Sequence, residues 1–381
     1  MHDIAEEFQP LVDAARDAAA RVLAPTVRED DEAERFRKDH FHALGQAGLC
    51  GVPTEERWGG LGLGYLAYVH VLEEVAKVSP AYAVSIAVNG LPQVILQQFG
   101  DPAQQARWLP GLAAGELLGA FALSEPGSGS DAASLRTTAR RDGDDYVLDG
   151  TKFWITHGGV ADIYIVMARS GGPGPGGISA FLVPAGTPGL SFGKKEEKMG
   201  LRASPTVEMV LEGARIPATN RIGEEGLGFR VAMSALDSGR ITIGATSVGL
   251  GQSAMEAATA YACERQQFEQ AIINFQGVAF MLADMATRVT AARLLVHEAA
   301  RLKDAGRAFS AMAAMAKLVA TDNAMAVTTD AVQVFGGYGY TREYPVERMM
   351  RDAKVMQIVE GTNQVQRVVV ARHLKRAYGR S

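Results

Sequence analysis

From residue 1 to about 117, apolar residues recur at spacings of three and four, as at Val69, Leu72, Val75 and Ala76. That period predicts helices that bury one face. At the start, Ile4, Phe8, Leu11, Val12 and Ala15 stand with acids between them. They predict an amphipathic helix rather than a basic-then-apolar leader. Helix breaks are expected at Pro53, Gly59-Gly60-Leu61-Gly62, Ser79-Pro80 and Gly100-Asp101-Pro102. Near Gly119 the texture changes to short β-forming runs. Tyr146-Val147-Leu148 predicts a strand up to the turn dipeptide Asp149-Gly150, and Thr206 to Leu211 alternates up to Glu212-Gly213. Ile163, Ile165 and Met167 lie in another such run, and Ile178 to Val183 in a third. Gly171 to Gly177 predicts a surface loop. Short strands in this number predict a small barrel or sandwich.

From about Leu227 the helical period returns. Val278, Met281, Leu282, Met285, Val289 and Ala292 form a stripe for burial. Breaks fall at Gly306 and at Phe335-Gly336-Gly337-Tyr338-Gly339. The long apolar-striped segments predict a four-helix bundle. The chain thus reads as an α+β multidomain protein: an N-terminal helical domain over 1–117, a middle β domain over 118–226 and a C-terminal helical bundle over 227–381. This is not the strand–helix alternation of a parallel sheet.

Composition narrows the function. The 381 residues are 47% hydrophobic and 21% charged, with a formal net charge of −5. No nucleic-acid partner is expected at that charge, since such partners need clustered Lys and Arg. The densest basic stretch, Arg367, Arg372, Lys375, Arg376 and Arg380, reads as a solvated helix face. Two distant cysteines, Cys50 and Cys263, offer neither a disulfide framework nor a zinc site, and fit a cytoplasmic location. No apolar run is long enough to cross a membrane.

Nucleotide and hydrolase signatures are missing: no GxGxxG follows a strand, and GxxxxGK[ST], HExxH and GxSxG are absent. No metal is expected. His40-Phe41-His42 falls in a helical stretch, where residues two apart face away from each other. Four other segments carry chemistry. The loop Phe121 to Asp131 offers backbone N–H groups and three hydroxyls to an oxygen-rich ligand. Trp154-Ile155-Thr156 can wall a flat ring and bond its edge. The paired glycines in Gln333 to Tyr340 allow close backbone approach. Glu360, among Met356, Ile358 and Val359, is a carboxylate in an apolar setting, which raises a carboxyl pKa. Taken singly, the loop at 121–131 reads rather as a flexible turn and Gln333 to Tyr340 rather as a helix C-cap, while Trp154 to Thr156 reads equally as a strand end and Glu360 equally as a helix-end residue.

Together they resemble the acyl-CoA dehydrogenase family, over nearly the whole chain. Further matching runs include Lys198-Met199-Gly200-Leu201-Arg202, Asp237-Ser238-Gly239-Arg240, Glu264 to Phe268, Phe275-Gln276, Tyr344 to Arg348, Met350 to Lys354, and Glu360-Gly361-Thr362-Asn363. The resemblance implies FAD as cofactor. Phe121, Leu123, Ser124, Gly129, Ser130, Trp154, Ile155 and Thr156 would line the flavin, with Thr156 near N5. Thr362, Asn363 and Gln364 would also touch it. Arg265, Phe268, Gln276, Gln333, Val334, Phe335, Gly336 and Gly337 would reach the adenine-diphosphate half of an FAD held by a neighbouring subunit. Ser130, Asp237, Arg240 and Gly361 would contact the acyl-CoA substrate. Glu360 would take the α proton of the thioester while a β hydride passes to the flavin, giving a trans-2-enoyl-CoA. The resemblance also implies a homotetramer, a dimer of dimers, that passes electrons to an electron-transferring flavoprotein.

Some members carry the base at the position of Gly239; by the resemblance, the glycine there and the acid at 360 place the chain with the straight-chain (short to medium) and short/branched-chain types, not with the isovaleryl or long-chain ones. His157 stands where Asn is common, and a structural role is expected for it. Val359 replaces a common Tyr, and Ala203 a common Gly. Glu269-Gln270-Ala271 replaces a common Gly-Lys-Pro, which puts the local turn in question. Three other readings are weighed: a flavoprotein oxidase, though these are usually longer; a dehydrogenase acting on a carrier-protein-bound acyl thioester; and a DNA-binding stress protein of similar fold, against which the net charge of −5 and the lack of a basic cluster speak.

Overall fold

The computed structural model describes residues 6–379, so Ile4 and Arg380 lie outside the described residues. Six helices come first: α1 (Gln9–Ala18), α2 (Val27–Glu32), α3 (Lys38–Gln46), α4 (Gly64–Val78), α5 (Pro80–Phe99) and α6 (Pro102–Ala113). Their ends follow the local chemistry. Pro80 and Pro102 occupy first turns, where a missing N–H costs nothing. Asp101 and Gln104 form a reciprocal capping box on α6.

Eight strands follow: β1 (Gly119–Ala122), β2 (Thr138–Asp142), β3 (Asp145–Thr156), β4 (Ile163–Arg169), β5 (Ile178–Pro184), β6 (Leu190–Lys195), β7 (Thr206–Pro217) and β8 (Arg221–Ile222). They form one sheet in the order β6-β7-β3-β2-β4-β5-β8, with β1 parallel to β4. A single bridging pair, Thr138 with Arg169, joins β2 to β4. The half-sheets on either side of that seam share a core, where Tyr146 meets Phe181 at 4.9 Å and Tyr164 meets Phe192 at 5.3 Å. The opposite face of β4 and β5 packs on α5, α6 and α7 through Ile163, Ile165, Met167 and Ile178. Burial on both faces explains why β4 is apolar throughout rather than alternating.

Two expected turns are not turns. Asp149-Gly150 lies inside β3 and Glu212-Gly213 inside β7. The pairing jumps from Leu148–Ala214 to Gly150–Leu211, so two residues of β7 oppose one of β3. This is a β-bulge: Gly213 takes φ 63°, and its N–H donates to the Asp149 carboxylate at 2.7 Å. The turn signals sit opposite each other and cancel into a kink.

The chain ends in helices: α7 (Gly228–Glu264), α8 (Gln276–Asp304), α9 (Ser310–Phe335), α10 (Val346–Met356) and α11 (Asn363–Tyr378). The expected α8 stripe is buried at Leu282, Met285, Val289 and Ala292. Between α7 and α8 a small hairpin, β9 (Gln266–Gln267) with β10 (Gln270–Ala271), turns on Phe268 and Glu269. Both turn residues are left-handed, at φ 51° and 64°, so the turn survives without a glycine at a backbone cost of about 1–2 kcal/mol per residue. Among the described residues no helix is long and apolar enough to cross a membrane.

Candidate active site

The turn from α10 to α11 carries Glu360. Residue Glu360 is left-handed at φ 53°, and Gly361 follows at φ 87°. Glycine adopts this freely, but glutamate does not. Gln366 holds the turn by donating to the carbonyls of Glu360 at 3.1 Å and Gly361 at 2.7 Å. Thr362 caps α11, its hydroxyl accepting the Val365 N–H at 3.3 Å. The Glu360 side chain is thereby turned inward, and its Oε2 is buried with no hydrogen-bond partner among the described residues. Burial pushes the carboxyl up to about 7, against the lowering pull of Arg240 and Lys317. A base poised near neutrality is suited to proton abstraction at physiological pH.

Facing it is Gly239 on α7. A Cβ there would lie 2.5 Å from Glu360 Oε2. The two positions at which the resemblance allows a base thus converge on one spot, and only one can be filled. Gly239→Ala is expected to leave the fold intact but to displace the carboxylate and slow proton abstraction about 10²-fold, the cost of roughly 1 Å of misplacement. Stopped-flow kinetics would show it, and a wild-type rate would mean the carboxylate works from elsewhere. Arg240 is buried and ion-paired to the half-buried Asp237. Its Nε is also without a partner among the described residues. Beside the turn, Val359 packs with Val84, Val88, Leu201, Ala203 and Ile243, an apolar wall next to the carboxylate.

The loop 121–131 is tied down from below. Glu125 and Ser128 exchange backbone hydrogen bonds at 2.9 and 3.1 Å, and Ser124 accepts from the Phe153 N–H at 2.8 Å. The Glu125 carboxylate accepts from Arg136 N at 2.6 Å, Thr137 N at 2.9 Å and Lys152 Nζ at 2.7 Å. Burial raises Glu125, but the Lys152 charge and these hydrogen bonds outweigh it, so its pKa lies below the usual carboxylate range. Burial lowers the Lys152 ammonium to about 8. Above this anchor Ser130 is exposed, and Gly127 and Gly129 have nothing within 4 Å of a would-be Cβ.

Trp154 sits on a second bulge of β3, between the pairs Lys152–Met209 and Ile155–Val207. Its φ is 63°, and the ring is 58% exposed beside Phe153. Ile155 is buried and Thr156 half-buried. His157 is structural: it is fully buried against Phe36 and Phe41, and its Nδ1–H donates to the Gly119 carbonyl at 2.9 Å. Burial lowers it to about 4, so it is neutral. Asn363 is committed inward, bonded to Lys317, Thr321 and Asp322, while Gln364 is exposed.

A second cluster forms at the far end of the bundle. Arg265 lies over the Tyr338 ring at 5.6 Å, Phe268 is 88% exposed, and Gln276 begins α8. Gln333, Gly336 and Gly337 are exposed, whereas Val334 and Phe335 are buried, Phe335 stacking on Tyr261 at 4.1 Å. On α7 the two clusters are separated by the helix from Arg240 to Glu264, about 36 Å at about 1.5 Å per residue. Glu125, Lys152, Lys317 and Gln366 were not legible as site residues, because residue type alone does not reveal a buried partner.

Residues 5–116, 120–214 and 226–375 match the N-terminal, middle and C-terminal domains of acyl-CoA dehydrogenase. The chain belongs to the acyl-CoA dehydrogenase family. It is 44% identical over 358 residues to a short-chain specific acyl-CoA dehydrogenase of Clostridium acetobutylicum, covering 93% of this chain and 94% of that one. Butyryl-CoA dehydrogenase from Megasphaera elsdenii superposes at a TM-score of 0.96, with 43% identity over 98% of this chain and 99% of that one. A chain from a structure of the electron transferring flavoprotein of Acidaminococcus fermentans also gives 0.96, with 45% identity over 99% and 100% of the two chains.

Proposed function

We propose that this protein is an FAD-dependent acyl-CoA dehydrogenase for short acyl chains that passes its electrons to an electron-transferring flavoprotein. The observation that carries the reading is the unpartnered, buried carboxylate of Glu360 set against Gly239. Glu360 removes the α proton. Its backbone N–H makes no hydrogen bond among the described residues and is free to donate to the thioester oxygen, which stabilises the developing enolate. Bound FAD supplies the acceptor for the β hydride. The Val359 wall receives the acyl chain, and Arg240, Asp237, Ser130 and Gly361 position the rest of the substrate. The Clostridium and Megasphaera relatives, by name, favour short chains, and the Acidaminococcus structure favours the flavoprotein acceptor.

The residues fit a flavin. Trp154 offers an exposed ring face, with Thr156 two residues on. Gly127, Gly129, Gly336 and Gly337 leave backbone open to a ligand. Arg265 forms no ion pair among the described residues, and a guanidinium suits a pyrophosphate. Because about 36 Å of helix separates Arg240, beside Glu360, from the Arg265 cluster, we infer that a second copy supplies the Arg265 end of the cofactor. The sharing argues for a dimer; the proposed assembly is a homotetramer built from two such dimers, and the proposed domains divide at 1–117, 118–226 and 227–381. The free thiols Cys50 and Cys263 fit a reducing compartment such as the cytoplasm.

The test is anaerobic titration of the purified yellow protein with acyl-CoAs of increasing length. FAD release on denaturation and fastest bleaching by short chains are expected. A protein that takes up no FAD would overturn the reading, and a best substrate of sixteen carbons would overturn the chain length.

A further inference from the structure

Lys317 lies in the middle of α9, fully buried. Its Nζ donates to the Gly361 carbonyl at 3.0 Å and to Asn363 Oδ1 at 2.9 Å. Both acceptors are neutral. A buried ammonium normally sits on a carboxylate, because removing it from water carries a desolvation penalty that neutral acceptors repay only in part. Here no carboxylate is hydrogen-bonded to it among the described residues. Burial accordingly lowers the lysine to about 7, against the pull of Glu360 and Asp322.

We propose that Lys317 is a positioning residue for the reaction: from behind the Glu360–Gly361 turn its ammonium fixes the left-handed backbone that aims the Glu360 carboxylate, and its charge favours the ionised form of that carboxylate. The proposal rests on the dehydrogenase reading. Its geometric basis is a closed set of contacts. Lys317 and Gln366 both bond the Gly361 carbonyl, and Gln366 also bonds that of Glu360. Asn363 links Lys317 to Thr321 and Asp322, so the first residue of α11 is pinned to α9. The turn therefore cannot relax to a right-handed conformation without breaking hydrogen bonds from two side chains.

The charge argument needs the whole surroundings of Glu360. From α7 come Arg240 and its ion-pair partner Asp237; from α9 come Lys317 and Asp322, the latter spent on Asn363 and Gln357. On α11 Arg367 pairs with Asp322. On α10, Arg351 is paired to Asp31 and Glu347, and Asp352 bonds the Leu201 N–H. The side formed by α5 and residues 201–203 presents Val84, Val88, Leu201 and Ala203, which carry no charge, while Arg202 between the last two is ion-paired to Glu34. Among the described residues Arg240 and Lys317 alone act on Glu360 as cations, and Arg240 is partly neutralised by Asp237.

The experiment compares the holoenzyme with Lys317→Gln and Lys317→Arg. Glutamine keeps a donor and removes the charge; arginine keeps the charge and changes the shape. The Glu360 carboxyl is titrated by infrared difference spectroscopy on protein labelled at glutamate carboxyls, with Glu360→Gln as the blank. Flavin bleaching by acyl-CoA is followed over the same pH range. In Lys317→Gln the carboxyl midpoint is expected to rise by about one unit, as loss of a nearby opposite charge requires. Bleaching at neutral pH should fall at least about tenfold, and more of it should be regained at alkaline pH than in wild type. Lys317→Arg should keep the wild-type midpoint while bleaching more slowly. An unchanged midpoint in Lys317→Gln, or a midpoint raised equally in Lys317→Arg, would show that Lys317 only packs. If Lys317→Gln does not retain flavin, its carboxyl midpoint is compared with that of wild-type apoprotein under the same criterion. Wild-type protein that no acyl-CoA bleaches would sink the dehydrogenase reading itself, an outcome distinct from all of these.

Discussion

Replacing Glu360 with glutamine is expected to stop the chemistry while leaving the protein yellow. Glutamine preserves size but cannot accept a proton as a carboxylate does. A positioned base supplies roughly 10²–10⁴-fold, and a second carboxylate is excluded by the Gly239 notch, so flavin bleaching should fall by at least that factor. Cofactor retention should not change, because the 121–131 loop and the Arg265 cluster are untouched. The pH dependence has a definite sign. Glu360 acts as a base only when ionised, so bleaching of free wild-type enzyme by limiting substrate should rise with pH through about 7. Stability should run the other way. The folded state prefers the protonated acid, so Glu360 weakens the fold as pH climbs from the usual carboxylate range through about 7. The glutamine variant escapes that loss and should equal or exceed wild type in stability at pH 8. Stopped-flow bleaching and melting curves at two pH values check both; wild-type bleaching by the variant would remove Glu360 from the mechanism.

Lys152→Met should damage the 121–131 loop more than any surface change. Lys152 and Glu125 are both buried. Removing one partner leaves an uncompensated charge, which typically costs about 3–5 kcal/mol. Two backbone N–H groups still hold the Glu125 carboxylate, which places the expected loss at the lower end. The readout is the temperature at which flavin is released, expected to fall by several degrees. Adding Glu125→Gln should recover much of it, since the pair is then neutral. A single variant that releases flavin at the wild-type temperature would show that the loop is held by its backbone bonds alone.

The order of helices, strands and helices was legible because it depends on hydrophobic period, and so was the α8 stripe. The strand ends were not. Asp149-Gly150 and Glu212-Gly213 carry the chemistry of a turn, but they face each other across β3 and β7 and make a bulge. Pairing between residues about 60 apart overrides a local signal. The same limit governs the site. Glu360 and Trp154 stood out as residue types in unexpected company. Nothing in the sequence sets Lys152 and Lys317 apart, because only tertiary packing brings Glu125 and the Gly361 carbonyl to them. His157, next to Trp154-Ile155-Thr156 in sequence, turns into the hydrophobic core once β3 bulges at Trp154.

The length of α7 has a consequence for how the enzyme responds to dilution. If each cofactor is gripped at one end by one chain and at the other by its neighbour, cofactor affinity and association are a single linked equilibrium. Free FAD then acts as a cross-link that favours assembly, and scarcity of FAD as a dissociating agent. Activity per chain becomes a function of both protein and FAD concentration, so a lesion at the Arg265 end in one subunit would be expressed as lost chemistry in the next.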